Sequence, residues 1–297
     1  MDWKAEIEAA KARVALYVRE TPVITTQSFG LSHAITMKLE HMQHTGTFKA
    51  RGAFNTLLST DVPDGGVVAA SGGNHGAAVA HAAKALGHDA HIFVPELAGP
   101  AKIDLIRRTG AELTVVPGEY ANALAAAQAH EAKTGAMQIH AYDAPGTVAG
   151  QGTMMAEWEA QGLDADTVLI AVGGGGLIGG ALGWLQGRRK VVGVEPRHCC
   201  ALHKALEYGE PCDVPVSGVA ANALGARRIG EICFGLAQAH LGASVLVDDD
   251  AITAAQVALW REWRILVEPA GAAALAALMG GAYQPEPGEK VAVLLCG

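Results

Sequence analysis

Residues 167–187 read TVLIAVGGGGLIGGALGWLQG, and this segment is the strongest indication of the fold class. A short apolar run, TVLIAV, ends in four consecutive glycines and passes directly into an apolar run of helical length. This order predicts a buried strand, a tight turn and a helix. Backbone amides without side chains at the start of a helix can surround an anion such as a phosphate, and they need no lysine or arginine to do so.

The same alternation of short apolar runs and helical stretches continues on both sides. Towards the C-terminus it includes KVVGVEP (190–196) and VAVLLCG (291–297), and towards the N-terminus VVAAS (67–71), AHIFVP (90–95) and ELTVVPG (112–118). Repeated strand–helix–strand units form parallel sheets with helices on their faces. We therefore predict an α/β fold in which mainly parallel, twisted sheets are flanked by helices.

Composition and charge exclude several classes of protein. The 297 residues carry a formal net charge of −8, which provides no basic surface for nucleic acid. The segment MDWKAEIEAAKARVALYV (1–18) lacks the pattern of a signal peptide, and no long apolar run predicts a membrane span. Five cysteines, an odd number, indicate reduced thiols. We expect a cytoplasmic protein that binds neither nucleic acid nor membrane.

The glycine run has a second interpretation. Gly174, Gly176 and Gly179 form the pattern GxGxxG, and Glu195 ends the next predicted strand about 20 residues later, as a dinucleotide-binding fold requires. The glycines by themselves therefore leave an NAD-dependent oxidoreductase open beside an enzyme that binds another phosphate-bearing cofactor.

Two further motifs can carry chemistry. SGGNHG (71–76) stands between a predicted strand and a predicted helix, where it is either an anion site or a tight turn capped by Asn74. Lys49 follows GTF inside HTGTFKARGA (44–53), and it is either a solvated surface lysine or an amine in a partly apolar pocket. An amine of the second kind loses its proton readily and can form an imine with an aldehyde.

Other patterns have ordinary structural interpretations. Trp260 and Trp263 are three residues apart on a predicted helix, and we expect them to be packing residues. No zinc-site spacing is found, even in the cluster His198, Cys199, Cys200 and His203.

Six motifs, taken in order, resemble one family: TGTFKARGA (45–53), SGGNHG (71–76), AGQGT (149–153), GGGGL (173–177), EPAGAA (268–273) and LLCG (294–297). Over nearly its whole length the chain resembles the serine/threonine dehydratase (threonine ammonia-lyase) and serine racemase group of pyridoxal-phosphate enzymes, which have the tryptophan-synthase β fold. The resemblance implies two domains. Residues 1–60 and 144–297 would form a large cofactor-binding domain, and residues 61–143 a small mobile domain that carries the substrate-carboxylate loop.

The resemblance also implies a role for each matching residue. Lys49 corresponds to the lysine that holds pyridoxal 5′-phosphate as a Schiff base and removes the substrate's α-proton, and Phe48 to the residue on one face of the cofactor ring. Asn74 would bond to the ring hydroxyl, and Cys296 would stand beside the pyridine nitrogen. The phosphate would bind to Gly173, Gly174, Gly175, Gly176 and the Leu177 amide, and the substrate carboxylate to Ser71, Gly72, Asn74 and His75.

The implied activity is that of a lyase that removes water from a 3-hydroxy amino acid such as L-threonine or L-serine, giving a 2-oxo acid and ammonia. Gly72 stands where the racemases place a second serine that reprotonates the opposite face of the α-carbon, which favours a dehydratase over a racemase. Glu195 matches one carboxylate of a cation site found in some members, but Ala201 replaces the second, so no metal is predicted. The family also implies a homodimer.

Overall fold

The structure is a computed structural model that describes residues 1–118 and 120–297, with the side chains of all of these except residues 97, 101 and 102. The described part of the chain forms ten strands: β1 (Val23–Thr26), β2 (Ile35–Leu39), β3 (Val67–Ala70), β4 (Ala90–Pro95), β5 (Glu112–Val116), β6 (Met137–Gln138), β7 (Thr167–Ala171), β8 (Lys190–Pro196), β9 (Ala243–Val247) and β10 (Val291–Leu295).

The same part of the chain forms twelve α-helices: α1 (Trp3–Val14), α2 (Lys49–Leu58), α3 (Asn74–Leu86), α4 (Pro100–Arg107), α5 (Tyr120–Thr134), α6 (Pro145–Ala160), α7 (Gly176–Leu185), α8 (Ala201–Tyr208), α9 (Ala221–Leu224), α10 (Glu231–His240), α11 (Asp249–Trp263) and α12 (Pro269–Met279). Short 3₁₀ turns cover Glu40–Met42, His44–Gly46 and Glu96–Ala98.

Six strands form the larger sheet in the order β1-β2-β10-β7-β8-β9. All neighbours are parallel except β1 and β2 at one edge. Every residue of β7 and of β10 is buried. Continuous apolar strands suit this position because both faces of a parallel sheet are covered. The main hydrophobic core lies between this sheet and helices that include α6, α7 and α12.

The smaller sheet has four parallel strands in the order β5-β4-β3-β6. A second core joins it to α2 and α3. Except for Ala85, the alanines of α3 are buried, and their small side chains let the helix lie close to the strands. The predicted α/β fold with mainly parallel sheets flanked by helices is confirmed.

Close contact between α2 and α6 explains the AGQGT motif. A Cβ on Gly150 would lie 2.7 Å from the Gly52 Cα, and a Cβ on Gly52 would lie 3.0 Å from the Thr147 carbonyl oxygen. The two backbones therefore touch where neither residue has a side chain. Since α2 begins at Lys49, this contact also fixes the position of that lysine.

A buried cluster of two cations and two anions lies beside α2. The Arg51 guanidinium donates to both Glu40 carboxylate oxygens at 2.8 and 2.7 Å and to Glu157 Oε2 at 2.9 Å. Lys38 Nζ donates to Glu157 Oε1 at 2.5 Å. Burial alone would raise the pKa of Glu40, but the charge and hydrogen bonds of Arg51 hold that pKa below its ordinary value. The formal charges sum to zero, so no single charge is left without a counter-ion in the interior.

The structure corrects the expectation for the two tryptophans of α11. Trp260 is 51% exposed and Trp263 is 37% exposed, because the core-facing side of this helix is formed by Ile252, Ala255 and Leu259. A spacing of three residues places side chains on one helix face, but it does not tell which face meets the core.

The described residues show two further features. Among the described residues, no helix is both long enough and apolar enough to cross a membrane. All five cysteines are free thiols.

Candidate active site

The predicted site residues meet at the carboxyl ends of neighbouring strands. β7 leads into the glycine run at residues 173–176, and β10 leads into Cys296. These two strands pair in parallel, so both motifs emerge at the same edge of the sheet. One cleft at this edge is lined by the glycine run, Leu177, Phe48, Lys49, Asn74 and Cys296, among other residues.

The glycine run is packed so closely that side chains would not fit. A Cβ on Gly175 would lie 2.5 Å from the Cys233 side chain, and one on Gly173 would lie 3.0 Å from the Leu224 Cα. Gly175 also has φ +97°, a left-handed conformation that suits glycine. It precedes the first residue of α7, and no described side chain caps that helix. The positive end of α7 therefore faces the cleft, as an anion site requires.

Lys49 is the first residue of α2, and its amine reaches into the cleft. Lys49 Nζ donates to the Ala141 carbonyl oxygen at 2.9 Å and lies 5.3 Å from the centre of the Phe48 ring. Burial lowers the pKa of the amine from 10.5 to about 8, although the Cys296 and Glu268 side chains oppose this change. A substantial fraction of the amine is therefore neutral near physiological pH and can act as a nucleophile or base.

Cys296 follows β10 and is 2% exposed. Its thiol lies 3.4 Å from the Ala270 carbonyl oxygen, and its own carbonyl accepts a hydrogen bond from the Phe48 amide at 3.2 Å. Burial raises the pKa of the thiol, so the group stays neutral at physiological pH. The backbone bond ties the residue before Lys49 to the end of the strand.

Asn74 bonds to Glu268, a second cleft residue, for which the sequence predicted no role. Asn74 is the first residue of α3, and its Nδ2 donates to Glu268 Oε1 at 2.5 Å. Glu268 directly precedes α12, and its amide bonds to the Gly297 carbonyl oxygen at 3.2 Å. The motif EPAGAA contains Glu268, so the sequence did hold a pointer to this carboxylate.

Tyr142 also lines the cleft, and no sequence motif pointed to it. It lies in the connection between β6 and α6, outside all six motifs. A Cβ on Gly174 would lie 2.5 Å from Tyr142 Cε1, which shows that the ring packs directly on the glycine run. Only the folded chain brings these distant residues together.

The predicted carboxylate loop connects β3 to α3, and its residues take different positions. The Ser71 hydroxyl accepts from the Gly73 amide at 3.2 Å. His75 is buried, and its Nε2 lies 2.9 Å from the Ile139 carbonyl oxygen. Burial lowers the pKa of His75 to about 3. Asn74 lines the cleft, whereas Ser71, Gly72 and His75 lie beside it in the chain without being among its lining residues.

Glu195 lacks the free carboxylate that dinucleotide binding would need. Its two oxygens accept from the backbone amides of Leu202 at 2.8 Å and His203 at 2.7 Å, at the start of α8. Burial raises the pKa of Glu195 to about 8, and the side chain is fully buried. A carboxylate in this position stabilises a helix start and cannot reach a ribose hydroxyl. The described residues contain no cluster of three or more potential metal ligands of the His, Cys, Asp and Glu type.

Comparisons with known proteins place this cleft in context. The family model described as pyridoxal-phosphate dependent enzyme matches residues 14–297. Phenylserine dehydratase of Ralstonia pickettii is 36% identical over 298 residues, which cover 98% of this chain and 91% of that protein. L-threonine ammonia-lyase of Geobacter sulfurreducens is 35% identical, with coverage of 98% and 74%. The solved structure of maize serine racemase has a TM-score of 0.93 at 29% identity and covers 99% of this chain and 92% of that one.

Proposed function

The chain belongs to the family of pyridoxal-phosphate-dependent enzymes, as its motifs predicted, and we propose that it uses Lys49 and this cofactor to remove water from a 3-hydroxy amino acid. The unsaturated amino acid that results becomes an imine, which takes up water and yields a 2-oxo acid and ammonia. The observation that carries the proposal is the cleft itself, which is lined both by a lysine with a pKa of about 8 and by a side-chain-free glycine run. The dehydratase and ammonia-lyase activities named for the two similar enzymes support the same reaction.

The residues of the cleft fit the cofactor. The amides of the glycine run and of Leu177, at the positive end of α7, would hold its phosphate, and Phe48 would pack against its ring. Cys296 would face the pyridine nitrogen as a neutral thiol that does not force this nitrogen to be protonated. When bound, the cofactor supplies an electron sink that stabilises negative charge on the substrate's α-carbon.

Lys49 performs the proton transfer in this proposal. Its amine is neutral above a pH of about 8 and, in part, below it, so it can take the α-proton of the substrate. Asn74, the first residue of α3, lines the cleft and would orient the substrate and cofactor there. The bond from Asn74 to Glu268 fixes the asparagine amide for this task.

The charges that line the cleft limit the substrate class. Lys49 and Glu268 are the only charged side chains among its described lining residues. A substrate with a second carboxylate would find no free cation for it, because Lys49 is occupied in catalysis. We therefore propose that the substrate's side chain is uncharged, as in serine, threonine or 3-phenylserine.

Elimination is favoured over racemization by the surroundings of Gly72. Racemization needs an acid on the α-carbon face opposite Lys49, and glycine has no proton to give there. A Cβ at Gly72 would collide with the Ala98 Cβ and lie 3.1 Å from Val94 Cγ1. A serine in this position therefore does not fit unless the turn that carries Ala98 moves. An amino-acid racemase remains the second candidate because maize serine racemase has so similar a fold.

The domain division is also a proposal. Residues 61–143 contain all four strands of the smaller sheet, and the remaining strands lie in residues 1–60 and 144–297, which supports two domains. Because Asn74 and the glycine run belong to different parts, substrate binding would draw the domains together and exclude water. Slower hydrogen exchange at the start of α3 with a substrate analogue would support this closure, and unchanged exchange would contradict it.

We further propose a cytoplasmic homodimer. Trp260 and Trp263 of α11 and Leu266, three residues after the end of this helix, are exposed. Exposed apolar side chains close together support an interface between two copies. The free thiols agree with a reducing compartment. Light scattering tests the dimer: a monomeric mass for the wild type would contradict it, and Trp260→Arg should shift a dimeric mass towards the monomer.

Release of ammonia and 2-oxo acid tests the proposed reaction. L-serine, L-threonine, 3-phenylserine and 3-hydroxyaspartate are each incubated with cofactor-loaded protein, with Lys49→Ala as the control. At least one of the three substrates with an uncharged side chain should yield both products, and 3-hydroxyaspartate should react most slowly. If the wild type releases no more product than Lys49→Ala from any of the four, the proposed function is wrong.

A further inference from the structure

Residues 140–143, which we call the covering segment, lie in the connection between β6 and α6 and form hydrogen bonds with one another and with α6. The His140 ring accepts hydrogen bonds at Nδ1 from the amides of Tyr142 at 3.3 Å and Asp143 at 2.8 Å. The His140 carbonyl oxygen accepts from the Thr147 hydroxyl at 3.0 Å. His140 and Tyr142 also pack edge to face, with ring centres 4.9 Å apart. The covering segment is therefore held in a turn by contacts among its own residues.

The covering segment contacts both the lysine and the helix next to the glycine run. The Ala141 carbonyl oxygen accepts the bond from Lys49 Nζ. The Asp143 carboxylate accepts from the amides of Glu231 at 3.1 Å and Ile232 at 3.0 Å, at the start of α10. That helix start is also tied to the glycine run, since the amide of residue 230 bonds to the carbonyl oxygen of residue 174 at 3.1 Å.

Tyr142 lies between these two anchors and rests on the glycine run. Its ring packs on Gly174, and its Cα and carbonyl oxygen each lie 3.0 Å from where a Cβ on Gly176 would stand. Its hydroxyl donates to the Arg228 carbonyl oxygen at 3.4 Å. Burial raises the pKa of Tyr142, so the phenol stays neutral and brings no negative charge towards a phosphate.

We propose that Tyr142 is a cofactor-retaining residue, whose ring covers the glycine run and shields the cofactor phosphate from water. The proposal rests on the proposed function in one respect, that the phosphate occupies the glycine run. Hydrogen bonds from backbone amides to a phosphate are stronger where water is excluded, and a rim of packed side chains slows the release of a bound group. The bond from the hydroxyl to Arg228 is long, so the ring, and not the hydroxyl, performs this role.

The test compares two cofactor analogues on the same variants. Pyridoxal 5′-phosphate and 5′-deoxypyridoxal have the same aldehyde ring, but only the first has a phosphate. Each is titrated into apo wild type, Tyr142→Ala and Tyr142→Phe, and binding is followed by the visible absorbance of the lysine-bound cofactor. Tyr208→Ala, at an exposed tyrosine of α8, is the matched control.

Tyr142→Ala should weaken the binding of pyridoxal 5′-phosphate by about tenfold, as expected for the loss of a packed aromatic ring, and should release it faster. Its affinity for 5′-deoxypyridoxal should change by less than about twofold, since that analogue has no phosphate to shield. Tyr142→Phe and Tyr208→Ala should resemble the wild type with both analogues. If Tyr142→Ala is insoluble, Tyr142→Leu replaces it and should show the same selective loss.

Equal weakening of both analogues, or no weakening of either, would overturn the proposal. An effect in Tyr142→Phe as large as in Tyr142→Ala would also overturn it, because the hydroxyl would then be the active group. This binding test and the test of the proposed reaction can fail independently of each other. A wild type that binds pyridoxal 5′-phosphate but releases no ammonia would contradict the reaction, and the two affinities would still decide the role of Tyr142.

Discussion

Neutralising one carboxylate of the buried charge cluster should destabilise the protein strongly. Glu40→Gln leaves Lys38, Arg51 and Glu157, with a net charge of +1, where Lys38 and Arg51 are at most 1% exposed. Removing one partner from a buried ion pair costs about 3–5 kcal/mol, because the remaining charge is neither solvated nor fully compensated. This loss is a large part of the free energy of unfolding of a typical protein, which is about 5–15 kcal/mol. At about 2–4 °C per kcal/mol, the Tm should fall by roughly 10 °C.

The matched control is the same substitution at a surface pair. Glu207 pairs with Lys204 at 2.6 Å, but both side chains are substantially exposed, so Glu207→Gln should keep a Tm close to that of the wild type. Thermal unfolding followed by circular dichroism gives both values. If Glu40→Gln has the same Tm as Glu207→Gln and the wild type, the charge cluster does not stabilise the protein as we expect.

The same cluster makes a prediction about acid stability. The pKa of Glu40 lies below its ordinary value of 4.5 in the folded protein, so its contribution is present above that value and is lost as the pH falls through the folded-state pKa. As the pH is lowered below about 5, the free energy of unfolding of the wild type should therefore fall more than that of Glu40→Gln, in which this carboxylate no longer titrates. Equal acid sensitivity in urea unfolding would contradict the assignment.

Two further predictions concern the cleft. Gly175→Ala should lose most of its affinity for pyridoxal 5′-phosphate, because the added Cβ would be crowded and φ at this residue is positive. Gly235→Ala is the control, since its Cβ meets open space, and it should bind the cofactor like the wild type. Equal affinity of the two variants in a titration would contradict this prediction. Gly72→Ser should lower ammonia release without raising the fraction of inverted amino acid, and inversion should rise only when Ala98→Gly makes room for the serine. Chiral chromatography decides between these outcomes, and inversion by Gly72→Ser alone would be contrary evidence.

The sequence predicted the parts of the molecule whose physical requirements are local. The strand, glycine turn and helix around residues 167–187 follow from apolar periodicity and from the need for small residues at an anion-binding turn. Lys49 could be singled out because its neighbours along the chain, a tight turn and an aromatic, are themselves informative. Because β7 and β10 pair in parallel, their carboxyl ends lie at one edge of the sheet, and this does not depend on the structure of the loops between them.

The remaining features depend on contacts between distant residues. Tyr142 is 32 positions from Gly174, so no local pattern indicates that its ring rests on the glycine run. The direction of the His75 side chain, into the interior towards Ile139, also depends on how α3 packs. The crowding at Gly72 arises from Ala98, on the turn after a neighbouring strand, and was not foreseeable from SGGNHG.

Identification of the lysine that binds the cofactor tests whether Lys49 is its anchor. Cofactor-loaded wild type is reduced with borohydride, which fixes the cofactor covalently to its lysine, and is then digested and sequenced by mass spectrometry. We expect one labelled peptide, modified at Lys49, because this amine lines the cleft and has a pKa of about 8. A label on another lysine, such as the fully buried and ion-paired Lys38, or a wild type that takes up no label, would contradict it.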